Sequence, residues 1–567
     1  MPELALHPVG RATPSGIGAA RPGIPALVAH QSRHELVSLS REPLALFFSL
    51  AFPLLFFAII SALVGNITID ARAGVRVAQF MAPAFASFGV VMATFSTLAI
   101  GLSEAREDGV LKRLHGTPLP PGVLIAARVV AGAAVAFGAV LLLELVGVLA
   151  YHVQIVGRTV PATVLTVLVG VCCFSALGLA VAALAPTSQS AMALTNGIVI
   201  PLSFISDIFG VGDVNLPGWL DAIGWFFPLR HLVNALGDAT NPYLTGSGFY
   251  PDHLAVMAAW GLLGALVAVR RLSVEPRRSR AQDRAAHHEG HQRDRAAGAR
   301  PARTGRSQRR SLWSLLIGEI RHADALLWRD PGSTFFAVAF PVLLVLLVPQ
   351  IYGADTVLDD GTPLARFYAP TMAVYGAAVT AYVNMPEALA RARERGVLHR
   401  LSGTPLPIPM LLLGRVLSSV WIAALTLAGV MGLAGLLYDV PIPRTWPGVV
   451  VTAVLSTVCF ATLGVALTTL LGSSRAVSAV ALGTLLPLSF VSDIFVVGAQ
   501  FPRFLDVIGW ISPLRHATRA VSDAYAVGAT GYGFAWFHLA VITAWLVGGA
   551  LVVVVRTRSG HLAERRG

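Results

Sequence analysis

Long blocks of apolar residues constrain this sequence more than any other feature. Six lie near residues 44–64, 80–102, 123–150, 161–185, 191–211 and 254–270, and six more near 333–352, 367–389, 408–437, 447–471, 476–497 and 535–555. A helix of about 20 residues crosses the roughly 30 Å hydrocarbon core of a bilayer. Only 13% of the residues are charged, against about 25% in soluble domains. The pattern predicts an all-α polytopic membrane protein with twelve spans and excludes a soluble enzyme.

Positive charge is concentrated between the two sets of blocks. The chain has a formal net charge of +12, and much of the surplus lies in an arginine-rich linker. Arginine beside apolar spans is typical of cytoplasmic loops and can attract anionic lipid headgroups. We therefore expect the linker and both termini to be cytoplasmic, with membrane lipid and not nucleic acid as a partner. The positions of Cys172, Cys173 and Cys459 predict neither a disulfide nor a metal site.

The two halves are copies of one unit. The segment GVLKRLHGTPLP from Gly109 to Pro120 returns 287 residues later as GVLHRLSGTPLP, and LDAIGWFFPLRH from Leu220 to His231 returns as LDVIGWISPLRH. A near-constant offset indicates duplication. The predicted domains are an N-terminal tail (1–30), a first unit (31–271), the linker (272–311), a second unit (312–556) and a C-terminal tail (557–567). Each unit has an even number of spans, so the six-helix repeats should lie in tandem and in parallel orientation.

The repeated loop between the second and third spans predicts a short amphipathic helix on the cytoplasmic side. Leu111 and Leu114 are three residues apart and would share one helix face. Pro118 then disfavours helix at the residue before it. A solvated turn at the bilayer interface is the alternative interpretation. Twelve positions shared by the two copies favour a docking surface.

These residues resemble the type-2 ABC exporter permeases of the daunorubicin-resistance and antibiotic-export kind. In that family Glu, Gly-x-Leu-x-Arg-Leu and Thr-Pro-Leu-Pro mark the loop that couples to the ATPase subunit. The matching segments, with the arginine before each glutamate, are Arg106, Glu107, Gly109, Leu111, Arg113, Leu114, Thr117 and Pro118, and Arg393, Glu394, Gly396, Leu398, Arg400, Leu401, Thr404 and Pro405. The resemblance covers most of each half and implies a coupling role for these residues. It departs from the family in that one chain supplies both six-span units.

The resemblance also implies a function in the bacterial plasma membrane. A permease of this kind works with separate ABC ATPase subunits, here expected in two copies, which hold the ATP and Mg. A Walker A motif needs a lysine after Gly-x-x-x-x-Gly. The single lysine of the chain, Lys112, has no such context. The chain should therefore have no cofactor and no ATPase activity of its own, and should export hydrophobic or amphipathic compounds such as drugs, antibiotics or lipid-like molecules.

Two other classes of function are open at this point. A proton-coupled secondary transporter can also have six plus six spans, but it needs titratable groups inside the membrane. Glu144 is the obvious candidate, since it lies well inside the third span and corresponds to Met431 in the second unit. It could face a transport pathway or pair with a polar group for packing. A membrane scaffold without transport is the third class.

The other repeated polar residues lie near the predicted outer side. Asp207 and Asp493 follow a serine at the end of the fifth span, and the repeated block around Trp225 and Arg230 contains a proline. Tryptophan and arginine favour the headgroup level, and proline interrupts a helix. Each unit should therefore carry an outer re-entrant element. The candidate pathway or gate residues are Glu144, Asp207, Trp225, Arg230, Asp493, Trp510 and Arg515, with interfacial anchoring as the alternative.

Overall fold

A computed structural model describes most of the chain. The described residues are 23–63, 68–70, 75–117, 119–209, 216–271, 312–353, 356–358, 361–402, 408–443, 445–495, 501–526 and 531–558. The predicted linker at 272–311 lies outside them, as do Pro118, Thr404, Pro405 and most of both predicted tails.

The described part of the first half contains ten helices. They are α1 (Ile24–Ser40), α2 (43–63), α3 (Ala78–Glu107), α4 (Val110–His115), α5 (Pro121–Tyr151), α6 (Gly157–Leu184), α7 (Ser188–Ile205), α8 (Gly218–Phe226), α9 (Pro228–Thr240) and α10 (Pro251–Arg271). A small antiparallel hairpin, β1 (Thr68–Asp70) and β2 (Val75–Arg76), lies between α2 and α3. The six predicted spans correspond to α2, α3, α5, α6, α7 and α10.

The second half repeats this order. Its helices are α11 (Leu312–Trp328), α12 (Pro331–Tyr352), α13 (364–394), α14 (Val397–Ser402), α15 (Ile408–Tyr438), α16 (Trp446–Leu470), α17 (Ser474–Phe490), α18 (Arg503–Ile511), α19 (Pro513–Tyr525) and α20 (Trp536–Arg558). Each helix of the second half therefore corresponds to the helix ten places earlier in the first.

Eight of the described helices are long and apolar enough to cross a membrane by length and composition: α3, α5, α6, α10, α12, α15, α16 and α20. The helices α2 and α17 contain shorter apolar stretches, Phe47–Ala62 and Ser474–Phe490. Two predicted spans remain. Helix α7 corresponds to α17 in the repeat, and helix α13 corresponds to α3. The all-α polytopic fold class is confirmed.

Two predicted boundaries differ from the structure. The fifth spans end early, at Ile205 and Phe490, because Asp207 and Asp493 adopt φ angles of 62° and 59°. This left-handed conformation ends a right-handed helix. At the N-terminus α1 begins at Ile24, inside the range assigned to a tail.

Proline sets the shape of the first span in both halves. Helices α2 and α12 contain wide turns of π-helix at Phe47–Ala51 and Phe335–Ala339. Pro53 and Pro341 follow these turns, and a proline ring displaces the carbonyl four residues before it. Those carbonyls belong to Ser49 and Ala337. Glycines of the second span, Gly89 and Gly376, pack against them, and a Cβ atom added there would lie 3.3 Å and 2.8 Å from the respective oxygens.

The two halves contact each other through equivalent pairs of helices. Helix α2 contacts α17, and α12 contacts α7. These two pairs exchange under a pseudo-twofold operation, as in a symmetric dimer. Aromatic packing joins the halves at depth, where the rings of Phe56 and Phe490 lie edge to face with centroids 3.9 Å apart.

The close contact at Gly376 gives a test of this packing. Gly376→Ala should destabilise the protein by about 1–3 kcal/mol, because its Cβ would press on the Ala337 carbonyl and on Thr426. Gly429→Ala, on α15 with nothing within 4 Å of the new Cβ, is the matched control and should be neutral or slightly stabilising. Thermal unfolding in detergent measures both. Equal midpoints for the two variants would contradict the packing described here.

Candidate functional site

The loop between the second and third spans contains the predicted short helix in both halves. Gly109 and Gly396 turn the chain from α3 into α4 and from α13 into α14, with φ angles of 68° and 67°. Only glycine adopts this conformation without strain. On α4, Leu111 is buried in a small cluster with Leu102, Ala105, Leu124 and Ala182. The short helix is therefore fixed to the bundle by its apolar side.

The opposite side of each short helix is basic and exposed. Lys112 and Arg113 project from α4, and Arg400 projects from α14. The Thr117 hydroxyl donates a 2.6 Å hydrogen bond to the Leu114 carbonyl and closes the end of α4. We refer to the faces that carry Arg113 and Arg400 as the basic faces. They are the part of the predicted coupling segment that another protein could reach.

Arg106, by contrast, lies inside the bundle, with only 1% of its surface exposed. Its guanidinium donates to the carbonyls of Ala182 and Ala185, at 2.8 Å and 2.5 Å, where α6 ends. Arg393 makes the equivalent contacts with the carbonyls of Thr468 and Leu471 at the end of α16. The last carbonyls of a helix have no partner within it, so each arginine satisfies two of them.

The neighbouring glutamate binds the start of the next helix. One Glu107 carboxylate oxygen accepts a 2.7 Å hydrogen bond from the Ser188 hydroxyl at the first turn of α7. Glu394 accepts from both the backbone N–H and the hydroxyl of Ser474, at 2.7 Å and 2.8 Å, at the first turn of α17. We call each arginine–glutamate pair, with the helix ends it joins, a bracket. The brackets link the coupling segments to the turn between the fourth and fifth spans.

The first helix of each half is tied to the third span by an ion pair. Glu35 on α1 lies 3.4 Å from Arg128, and Glu319 on α11 lies 3.5 Å from Arg415. Each of these third-span arginines therefore has a carboxylate partner on the first helix of its half. Burial raises the pKa of the Glu319 carboxyl, and the Arg415 guanidinium lowers it in part.

A cavity of about 1160 Å³ lies between the halves. Its walls are rich in aromatic rings, including Phe52, Phe56 and Phe88 of the first half and Phe340, Phe490 and Phe495 of the second. Charged side chains line the end that adjoins α4, including Glu42, Glu104 and Asp108 from the first half and Arg391 and Arg475 from the second. We call this end the α4 side. A cavity with apolar walls and a charged mouth suits an amphipathic guest.

One face of each fifth span lines this cavity. On α7 the lining residues Gln189, Met192, Asn196, Ile200 and Phe204 recur at helical spacing. The corresponding lining residues of α17 are Arg475, Ser478, Leu482, Leu486 and Phe490. Residues three or four apart share one face of a helix. The bracket at the start of each fifth span therefore holds a helix that forms cavity wall.

The predicted outer residues of the first half do come together. The Arg230 guanidinium lies 2.6 Å from a carboxylate oxygen of Asp221, 3.5 Å from one of Asp207, and 4.8 Å from the centre of the Trp225 ring. This arginine joins the turn after α7 to both helices of the outer pair, α8 and α9. Gly224 permits the approach, since an added Cβ would lie 2.8 Å from the guanidinium.

The second half repeats the cluster with one more cation. Arg515 lies 2.6 Å from Asp506 and 3.9 Å from Asp493, with its guanidinium 5.1 Å from the Trp510 ring. Asp493 is 1% exposed and also lies 2.7 Å from Arg519. Sequence reasoning missed Asp221, Asp506 and Arg519. The two aspartates were detectable because both stand in the repeated Leu-Asp-x-Ile-Gly-Trp block.

A histidine pair links each outer element to the last span. The Nδ1 atoms of His231 and His253 are 2.8 Å apart, as are those of His516 and His538. The Nε2–H of His231 donates to the Trp225 carbonyl at 2.9 Å, so in the neutral pair its Nδ1 accepts from His253. The sequence gave no sign of the pairing, because the partners are 22 residues apart. No group of three or more metal ligands occurs among the described residues.

Glu144 lies apart from these features. It is half-buried on α5 and is not among the residues that line the cavity. A role for it in the pathway stays a prediction.

Comparison with known families agrees with this arrangement. The sequence model of the ABC-2 type transporter family matches residues 30–239 and 311–525, once in each half. No curated protein matches the chain. The matched segments cover well over half of the sequence and include both short helices, both brackets and both outer elements. The chain belongs to the ABC-2 type transporter family and carries two fused copies of its transmembrane permease unit.

The bracket predicts that replacing Arg106 destabilises the protein more than replacing Arg113 does. Arg106→Met should lower stability by about 3 kcal/mol, because two charge-assisted hydrogen bonds are lost and two carbonyls are left unpaired. Arg113→Met removes an exposed guanidinium on the same loop and should change stability by less than about 0.5 kcal/mol. Thermal and denaturant unfolding of the purified protein measure both. Equal losses would show that burial of Arg106 does not matter.

Proposed function

We propose that this chain is the complete membrane part of an ATP-driven exporter. Its two units enclose one pathway for hydrophobic or amphipathic compounds of the drug, antibiotic or lipid-like kind. Two separate ABC ATPase subunits, holding ATP and Mg, would bind the basic faces of α4 and α14 from the cytoplasm. The protein would lie in the bacterial plasma membrane with both termini in the cytoplasm. The observation that carries the proposal is the aromatic cavity shared by both halves, with the short helix α4 at one end.

The brackets provide a path for mechanical work from the short helices to the cavity. An ATPase subunit that moves α4 also moves the end of α3, since Gly109 joins the two directly. Arg106 and Glu107 then carry the displacement to the end of α6 and the start of α7. Because α7 forms cavity wall, its displacement changes the shape and access of the cavity. The second half offers the same route through α14, α13 and α17.

The apolar walls of the cavity support the proposed class of substrate. Aromatic rings bind apolar and planar groups through a large contact area, while the charged side chains at the α4 side stay close to water. A compound with an apolar body and a polar end satisfies both regions at once. Small inorganic ions would lose hydration along the aromatic stretch without replacement and are disfavoured.

Reconstitution with the ATPase subunits tests the proposal. In proteoliposomes the complex should export amphipathic dyes or drugs only when ATP is present. Arg113→Glu combined with Arg400→Glu should reduce substrate-stimulated ATP hydrolysis about tenfold or more, because an acidic side chain on each basic face would repel the docking surface. Arg33→Glu with Arg321→Glu, at matched positions on α1 and α11, serves as the control and should retain activity.

The same vesicles address the alternatives. Transport that a proton uncoupler abolishes, and that continues without ATP or the ATPase subunits, would overturn the proposal in favour of proton coupling. Purified chain that hydrolyses ATP unaided would contradict it as well. Binding of the ATPase subunits without any ATP-dependent flux across a broad panel of amphiphiles would favour a scaffold.

A further inference from the structure

The two contacts between the halves border the cavity at its α4 side, and they are not equal. We call the contact of α2 with α17 the first contact and the contact of α12 with α7 the second contact. The repeat relates them position by position: Glu42 corresponds to Asp330, Glu104 to Arg391, and Gln189 to Arg475. The first contact combines Glu42 and Glu104 of the first half with Arg475 of the second half. The second contact combines Asp330 and Arg391 of the second half with Gln189 of the first half.

The second contact is fully paired. Arg391 lies 3.3 Å from Asp330 and 3.1 Å from Glu387, all in the second half. Gln189 crosses from the first half. With its amide oriented to suit both neighbours, it donates to Asp330 at 3.0 Å and accepts from Arg391 at 3.2 Å. The neutral Gln189 of the first half therefore bridges the ion pair that Asp330 and Arg391 form within the second half.

Backbone packing reinforces the second contact. Gly332, in the first turn of α12, lies so close to α7 that an added Cβ would be 2.1 Å from the end of the Met192 side chain. Asp330 also caps α12, because it accepts a 3.2 Å hydrogen bond from the Ser333 N–H. Separating α12 from α7 would therefore break two hydrogen bonds to charged groups and open a tight packing contact.

The first contact lacks this pairing. Its first-half residues, Glu42 and Glu104, are both acidic and repel each other, and Arg475 of the second half attracts Glu104 across the interface. Among the described residues, no ion pair within 4 Å joins Arg475 to either carboxylate. Arg475 is exposed and lines the cavity together with both glutamates. The aromatic contact of Phe56 with Phe490 joins α2 to α17 deeper in the cavity. At the α4 side, the charges of the first contact supply only a screened attraction.

From this difference we infer that the cavity has one working entrance. The first contact opens on the α4 side to admit the substrate, and the second contact stays closed as a hinge through the transport cycle. Arg475 is a positioning residue that draws α17 back towards Glu42 and Glu104 when the entrance closes. The inference rests on the proposed function, since it concerns how the exported compound reaches the cavity.

Matched cysteine pairs test the inference on the two contacts separately. In a chain with Cys172, Cys173 and Cys459 replaced by serine, Glu42→Cys with Arg475→Cys bridges the first contact. Gln189→Cys with Asp330→Cys bridges the second. A short bifunctional thiol reagent that a reductant can cleave closes each pair in the reconstituted complex with its ATPase. We expect the first cross-link to reduce ATP-dependent export more than about tenfold, and the second to leave at least about half of it.

The outcomes separate this inference from the proposed function. The cysteine-free parent must export amphiphiles with ATP; if it does not, the proposed function fails and the inference fails with it. If the parent is active and the two cross-links inhibit equally, or the second inhibits more, the entrance is not confined to the first contact. Restoration of export by the reductant shows that the cross-link, and not the substitutions, caused the loss.

A charge exchange tests the role of Arg475 without a cross-link. The reporter is Ser478→Cys, on the cavity face of α17, labelled with a polar maleimide in the nucleotide-trapped complex. Adding Arg475→Glu should increase the rate of labelling about fivefold. Adding Glu104→Arg restores the attraction with reversed signs and should return the rate towards that of the parent. Gln189→Glu, the acidic change at the corresponding position of the second contact, should alter the labelling less. Unchanged labelling in Arg475→Glu, or no recovery in the exchange, would remove Arg475 from the closing step.

Discussion

Backbone carbonyls at the ends of the fourth spans must find partners, and the arrangement of each half depends on how they do so. Arg106 and Arg393 meet this need from the end of the second span, and the adjacent Glu107 and Glu394 hold the start of the fifth. Three spans therefore meet at one pair of side chains. The short helix that follows is fixed relative to them by a left-handed glycine, and in the first half also by the buried Leu111. If an ATPase subunit docks on the short helix as proposed, these side chains would transmit its force to the cavity wall.

The outer ends follow the same principle with different chemistry. Arg230 and Arg515 join the turn after the fifth span to the outer helix pair, and the histidine pairs join that element to the last span. Each fifth span is consequently held at both ends by side chains of other elements. Its middle carries the residues that line the cavity. Such a helix can shift as a unit between its two attachments, which is the kind of rigid element that alternating access requires.

The sequence predicted the order and approximate limits of the apolar helices, because long apolar blocks are a local signal. Of the twelve predicted spans, eight correspond to described helices that are long and apolar enough to cross a membrane. The sequence also predicted the short helices, since the leucine spacing and the glycine–proline boundaries are local signals. It placed Asp207 and Asp493 near the ends of the fifth spans but did not predict their left-handed turns, which the residue type alone does not specify. It also missed the partners of Arg106 and Arg393, because backbone carbonyls have no sequence signature. The opposite charges of Glu104 and Arg391 were detectable, since both directly precede the Ala-Arg-Glu that the two halves share.

Fusion of the two units in one chain allows the two contacts between the halves to carry different residues. In a dimer of two first units, each contact would contain Glu42, Glu104 and Gln189, with two carboxylates and no cation. In a dimer of two second units, each contact would contain Asp330, Arg391 and Arg475, and Arg475 would face an arginine instead of a glutamate. Only the mixed arrangement places Arg475 opposite Glu104 and Gln189 opposite the ion pair of Asp330 with Arg391. The charges therefore disfavour both symmetric pairings and favour the arrangement that a single chain provides, and the division between an opening contact and a hinge follows from the same residues.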